Sequence, residues 1–456
     1  MNGLGWPDYF VLFVYFAAII AMGAYFSRRQ KSTEVYFLGG RSVPWWAMGM
    51  SMLATLISSI TFVAYPGEGY GKNWSGLVPG LMVPVVLLLM GSVIVPFYRE
   101  AVGMSAYEYF EKRFGYLARL YSSLSFSLVH FTKMAFVFWL IALALSSMTG
   151  WDLYTLIIAL GVLTVLYTLV GGIEAVIWSD VIQGTVLTLG GLVALGVLLF
   201  TPTGGPEAVV QLAWENEKIS LGSFDFDFAN RTFVVLALYG FFMYVQKYAA
   251  DQTIVQRYLV ADSHREAIKG TMLGALLCIP VWALFLMIGS CVWSFYQIEG
   301  TVLPDHIQKA DQVFPYFVMH ELPAGLTGLI LAALIAAAMS SLDSDLNCLS
   351  AVVVEDYFKR AKPAATDRQC LVVGKVTVVV AGAASVLIAL ALVKTEGTAL
   401  SLAFLISSIV SGGLAGLFFL AFLSSRANAP GAYIGILACI LSVSYTHLTL
   451  PTICSV

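Results

Sequence analysis

Charged residues are scarce in this sequence. Asp, Glu, Lys and Arg make up 11% of its 456 residues, against roughly a quarter in an ordinary soluble domain, which excludes a globule with a solvated surface. No basic domain stands out and the formal net charge is -3, which argues against a nucleic-acid partner. The six cysteines (Cys278, Cys291, Cys348, Cys370, Cys439, Cys454) are scattered, with no CxxC pair and no zinc-like spacing, so they read as core thiols. Long linkers and low-complexity tracts are also missing, which leaves little room for a separate soluble domain.

What fills the chain is apolar: 59% hydrophobic residues and a mean hydropathy of +0.85. Runs of about 20 such residues, enough to cross a ~30 Å hydrocarbon core, recur along the whole length. The spans read as 8–27, 46–70, 78–97, 120–148, 154–171, 180–201, 232–256, 267–297, 314–354, 371–393, 397–422 and 431–442, twelve in all. The first ends in Ser-Arg-Arg-Gln-Lys rather than at a small-residue cleavage site, so it is an anchor and not a signal peptide. Of the 24 Lys and Arg, seventeen fall in loops on one side of this map, five on the other, and Lys133 and Lys247 lie within spans. Basic residues collect in cytoplasmic loops, so the N-terminus is expected outside an inner (plasma) membrane. After 442 the chain turns polar and patternless, and Val443–Leu448, VSYTHL, looks like a translated sequencing adapter. Residues 443–456 are therefore expected to be non-native, and 423–442 the start of a cut-off peripheral helix.

Polar groups inside spans mark function, because an ionisable residue there costs several kcal/mol unless paired or hydrated. The second span holds Thr55, Ser58, Ser59 and Thr61 ahead of Pro66, Gly67 and Gly69. That reads either as a discontinuous helix whose freed carbonyls coordinate a cation or as a Pro kink with hydroxyls bonded to their own helix. In the ninth span Ala337, Ser340, Ser341 and Ser344 form one helical stripe, with Asp343 and Asn347 beside it. Hydroxyls and a carboxylate on one face suit a hard cation that prefers oxygen; small residues alone would mean helix packing. Asp345 points differently and is solvated or paired with a loop base. Asp180 either caps the sixth span or turns inward toward Asp343 as a second carboxylate. Lys133, mid-span, either makes a structural ion pair or receives an anionic group. Lys247, nearer a helix end, snorkels. Tyr244 or Tyr248 could face a cavity.

These segments resemble the sodium/solute symporter family, and most closely its sialic acid transporters. The matching pieces are ATLISSITF, YEYFEKRFG, GGIEAVIWSDVIQG, DQTIVQRYLVADS and AAAMSSLDSDLN, spread over about 8–426. The resemblance implies an all-α polytopic membrane protein of LeuT-like fold. An extra leading helix and loop (1–45) would precede two inverted five-helix repeats (46–201 and 232–422), joined by an extracellular loop (202–231). It implies Na⁺-coupled symport of a small organic solute, working as a monomer in the bilayer, and no enzymatic activity. By residue, the main Na⁺ site maps to Ala54, Ile57, Ala337, Ser340 and Ser341. A second maps to Asp180, Ser340, Asp343 and Ser344, where Asp343 stands in place of a serine. The solute pocket maps to Ser58, Thr61, Gly76, Gly80 and Lys133. There an arginine is replaced by Lys133, which can hold a carboxylate only as a point charge, and a phenylalanine and a glutamine by Gly76 and Gly80, which would enlarge the pocket. An acidic sugar such as sialic acid, another sugar, or a carboxylate all stay open as cargo. So do a proton as driving ion and a role as the transporter-like input module of a membrane sensor.

Overall fold

The computed structural model describes residues 4–305, 307–394 and 409–449, with side chains to Tyr445. Helices dominate. The first, α1 (Trp6–Ser27), opens with Pro7 in its first turn, where a missing N–H costs nothing. A short α2 (Thr33–Leu38), capped by Ser32, leads to the second span.

That span is broken. α3 (Trp45–Leu56) and α4 (Ser59–Gly71) meet at 60°. Ile57 and Ser58 are both extended (φ -98°, ψ 115° and φ -114°, ψ 177°), and the Ser58 hydroxyl accepts from the Ile60 N–H to cap α4. Of the two readings of the hydroxyl cluster, the discontinuous helix is the one observed.

α5 (Val78–Ala101), α6 (Glu108–Phe114) and α7 (Tyr116–Thr149) follow, then α8 (Leu153–Phe200) with 48 residues. As a straight rod α8 would be about 72 Å long, more than twice a bilayer core. It folds back at Gly172 (φ 58°, ψ -160°), so its two arms are the expected fifth and sixth spans, the second beginning at Ile173 rather than near 180. A Cβ at Gly172 would lie 2.8 Å from the Tyr36 carbonyl and from Gln30 Oε1. Gly172→Ala combines a left-handed φ with a backbone clash. We expect it to cost more than about 1–3 kcal/mol of strain, read as a lowered melting temperature of the purified protein.

The second half begins with α9 (Gly205–Glu215) and α10 (Phe233–Ala250). The expected seventh span, 232–256, stops early: Asp251 leaves the helix and caps α11 (Gln252–Val260), all nine residues of which are buried. After α12 (His264–Glu299), the expected ninth span divides into α13 (Val313–His320) and α14 (Leu326–Val352). α14 continues through a π-helical turn, Val353–Phe358, into α15 (Lys359–Ala361). α16 (Asp367–Leu392), α17 (Leu414–Leu423) and α18 (Ala429–Thr449) complete the described chain. Residues 397–408 of the expected eleventh span, 397–422, lie outside the described residues, as do 450–456. The last helix runs on past 442 to Thr449. Among the described residues eight helices are long and apolar enough to cross a membrane, nine with the broken pair, α8 being counted once.

Packing divides these helices into two bodies. In one, α12 lies along α3, α4 and α5, and α10 along α5. Glycines let the backbones touch: a Cβ at Gly69 would sit 2.3 Å from the Leu286 carbonyl, at Gly289 2.1 Å from that of Pro66, and at Gly274 2.6 Å from that of Gly49. In the other, α14 packs along α8, and α16 against α7 and α8. α1 is fastened to α14 by Asp8, whose carboxylate accepts from the Gly325 and Gly328 N–H groups at 2.7 Å each, satisfying free donors at the α14 N-terminus. The bodies meet where α3 and α12 lie on α8 and α3 on α14; between α3 and α14 polar side chains replace apolar ones.

Candidate functional site

At the α3 break, the Ala54 carbonyl meets α14. Ser340 Oγ donates to the Ala54 carbonyl at 3.0 Å and lies 3.3 Å from that of Ala337. Ser341 Oγ is buried with no hydrogen-bond partner. Ile57, the residue at which α3 ends, is fully buried. Three of the five residues assigned to the main cation site are thus joined by one hydroxyl, and a fourth carries an unsatisfied one. Neutral carbonyl and hydroxyl oxygens in a dry pocket fit a hard monovalent cation. Among the described residues no group of three or more His, Cys, Asp or Glu is placed to hold a metal.

The second set is arranged around a cation the sequence reading counted among loop residues. Arg257, on α11, is completely buried. Its Nη2 donates to Asp180 Oδ2 at 3.0 Å and Ser344 Oγ at 2.6 Å, Nε to Ser51 Oγ at 2.9 Å and Nη1 to the Thr253 carbonyl at 2.6 Å. Asp180 also accepts from Ser51 Oγ at 2.5 Å, so it faces inward and does not cap its helix. Asp343 turns the other way, accepting from Tyr167 OH at 2.5 Å and Ser179 Oγ at 3.3 Å. One oxygen each of Asp180 and Asp343 is buried without a partner. Asp180 and Ser344 therefore meet through Arg257, while Asp343 bonds to both arms of α8, to Tyr167 on the first and Ser179 on the second.

Of the residues assigned to solute binding, Ser58 is half-buried at the helix break and Thr61 buried one turn on. Gly76 and Gly80 do not enlarge a pocket. A Cβ at Gly76 would meet Glu68 Oε2 at 2.1 Å and one at Gly80 would meet Trp282 at 2.6 Å, so these two side chains already fill the room. Lys133 is ion-paired: its Nζ lies 3.0 Å from Asp345 Oδ2. Asp345 is fully buried rather than solvated, and its Oδ1 is also 2.7 Å from His130 Nδ1. The other imidazole nitrogen is 3.3 Å from Asp251, and Asp251 is held by Lys247 at 2.6 Å, so Lys247 is paired as well as lipid-shy. This chain of five groups was invisible as a unit in the sequence. The spacings of His130 with Lys133 and of Lys247 with Asp251, each about one turn, were its local signs.

Two cavities flank these groups among the described residues. One of about 350 Å³ is lined by His130, Lys247, Asp251, Gln246 and Tyr244. The other, about 600 Å³, lies toward the α1 N-terminus between Trp139, Tyr316, His320 and Lys309. Beside it Asp311 rests on Gly67, and burial there raises its carboxyl above the ordinary range while Lys309 opposes the shift.

Two helical bodies meeting on a polar seam, with a broken helix and an oxygen cage at mid-depth, define a secondary transporter. The chain belongs to the sodium:solute symporter family, whose model matches residues 36–439. It is 35% identical over 450 residues to the sodium/sialic acid symporter NanT of Aliivibrio fischeri, covering 98% of this chain and 88% of that one. Over 446 residues it is 36% identical to the sodium/sialic acid symporter SiaT of Proteus mirabilis, covering 97% and 90%. A solved Na⁺-coupled sialic acid symporter, substrate-bound and outward-open, superposes with a TM-score of 0.92 at 36% identity, covering 98% of this chain and 93% of that one. The fold is LeuT-like and the activity is Na⁺-coupled symport of a solute, not catalysis. Na⁺ is the coupling ion.

Proposed function

We propose that Na⁺ is held by the Ala54, Ile57 and Ala337 carbonyls with the Ser340 and Ser341 hydroxyls, and that it braces the broken α3–α4 helix against α14. Asp180, Ser340, Asp343 and Ser344 form a second cation locus in which Arg257 is the resident positive charge. The solute binds beside the break, at Ser58 and Thr61 near Lys133, with Gly76 and Gly80 behind Glu68 and Trp282. The protein works as a monomer in the inner membrane with its N-terminus outside, in line with the 17-to-5 bias of basic loop residues.

Transport proceeds by alternating access. Na⁺ enters first and completes the solute pocket; the two bodies then rock along their polar seam, and separation of α3 from α14 releases the ion. Each Na⁺ moving down ~100 mV supplies ~2.3 kcal/mol and a tenfold gradient ~1.4. Their sum supports roughly 500-fold accumulation of solute per coupled ion.

The observation that carries this reading is the Ser340 hydroxyl bridging two carbonyls beside the unpartnered Ser341 hydroxyl. Purified protein should melt at a higher temperature in NaCl than in choline chloride at equal ionic strength. Equal melting temperatures in a folded sample would remove Na⁺ from this site.

A further inference from the structure

The residue types that would receive an acidic cargo are present, yet their charges are spoken for. The Lys133 ammonium contacts both oxygens of Asp345, at 3.0 and 3.3 Å. The Asp345 side chain is wholly buried on α14 and cannot turn out to water. Lys247 cannot relieve it, because its ammonium is committed to Asp251 at 2.6 Å and Thr253 at 3.3 Å. Each lysine thus has its own carboxylate, and His130 lies between the two, 2.7 Å from Asp345 and 3.3 Å from Asp251. A second, independent feature acts in the same direction. The space beside Gly76 is taken by the Glu68 carboxylate, whose nearest cation, Arg231, is 3.7 Å away and 60% exposed, a geometry that neutralises little.

We propose that Asp345 is a specificity-determining residue: it holds the Lys133 ammonium, so the pocket excludes anionic solutes and the cargo carries no net negative charge. A solute carboxylate would have to share one point charge with Asp345 and approach Glu68, and like charges at that range repel. Serine and threonine hydroxyls at Ser58 and Thr61, the Glu68 acceptor and the Trp282 ring remain to recognise hydroxyl or amide groups. The proposal rests on the reading that Lys133 and Gly76 border the solute pocket.

The test is thermal stability of the full chain in NaCl with matched probes: glucose against glucuronate, N-acetylglucosamine against N-acetylneuraminate, and lactamide against lactate. Wild-type protein should gain stability from a non-anionic member and none from its carboxylate counterpart. In Asp345→Asn the freed lysine should admit the carboxylates, with apparent affinity raised at least about tenfold. Where that variant does not fold, Glu68→Gln gives the same direction of change, and the wild-type pattern decides by itself. Stabilisation of wild type by a carboxylate and not by its uncharged partner overturns the proposal. So does an intact Na⁺ shift with no response to any non-anionic probe. Loss of the Na⁺ shift itself would instead count against the cation site.

Discussion

Arg257→Met should cost the folded protein about 3–5 kcal/mol, the usual penalty for stripping one partner from a buried ion pair. The guanidinium and Asp180 are both fully buried, and removing it leaves the Asp180 carboxylate, which already has one unpaired oxygen, without a counter-charge; Ser344 keeps its contact to Thr55. The double variant Asp180→Asn, Arg257→Met should recover most of the loss, because the neutral amide needs no counter-charge. Denaturation midpoints of the purified variants test this. If single and double variants fall equally, the loss comes from packing and not from charge. Raising NaCl should also restore the single variant more than the double, since only the single leaves a carboxylate for a cation to fill.

The second large effect is on ion coupling. Ser341→Ala should leave stability in choline nearly unchanged, because the hydroxyl has no protein partner to lose. It should abolish the stabilisation by Na⁺, which at a concentration 100 times the dissociation constant is worth about 2.7 kcal/mol. Ser340→Ala is the informative contrast. That hydroxyl bonds the Ala54 carbonyl across the two bodies, so its removal should lower stability in choline as well. A Ser341→Ala protein with an undiminished Na⁺ shift would place the ion elsewhere.

How much of this was legible in the sequence depended on whether the signal was local. The hydroxyl cluster before Pro66 left a discontinuous helix and a Pro kink both open; the break falls at Ile57 and Ser58, with Pro66 inside α4, whereas the α14 stripe was readable because its spacing is helical. The division of α8 was legible, since 154–171 and 180–201 read as two spans; what was not is that the connection is a single residue, Gly172 with its left-handed φ, so that the second arm already starts at Ile173. α11 was missed. Gln252, Thr253 and Gln256 read as the end of the seventh span and Arg257 as a loop base, yet all four are buried in a separate helix, because their partners come from elsewhere: Gln252 bonds the Ala106 N–H and Gln256 the Phe37 carbonyl, at 2.8 Å each. Lys133 was singled out correctly as a buried charge, but its partner is 212 residues away. The glycines at 76 and 80 misled because a missing Cβ is space only when no neighbour uses it.

The glycine contacts between α12 and the α3–α4 pair bear on how force is transmitted. Interlocked side chains behave as a spring, since rotamers yield before the backbone follows. Here carbonyl meets glycine directly, and no side chain lies between to yield. Tilting α12 must carry the broken helix with it, as one arm of a lever whose fulcrum is the polar seam with α14. Such an arm cannot let the ion end move while the solute end stays behind. Backlash of that kind would leak Na⁺ without cargo, so these few glycines set how tightly the transporter couples.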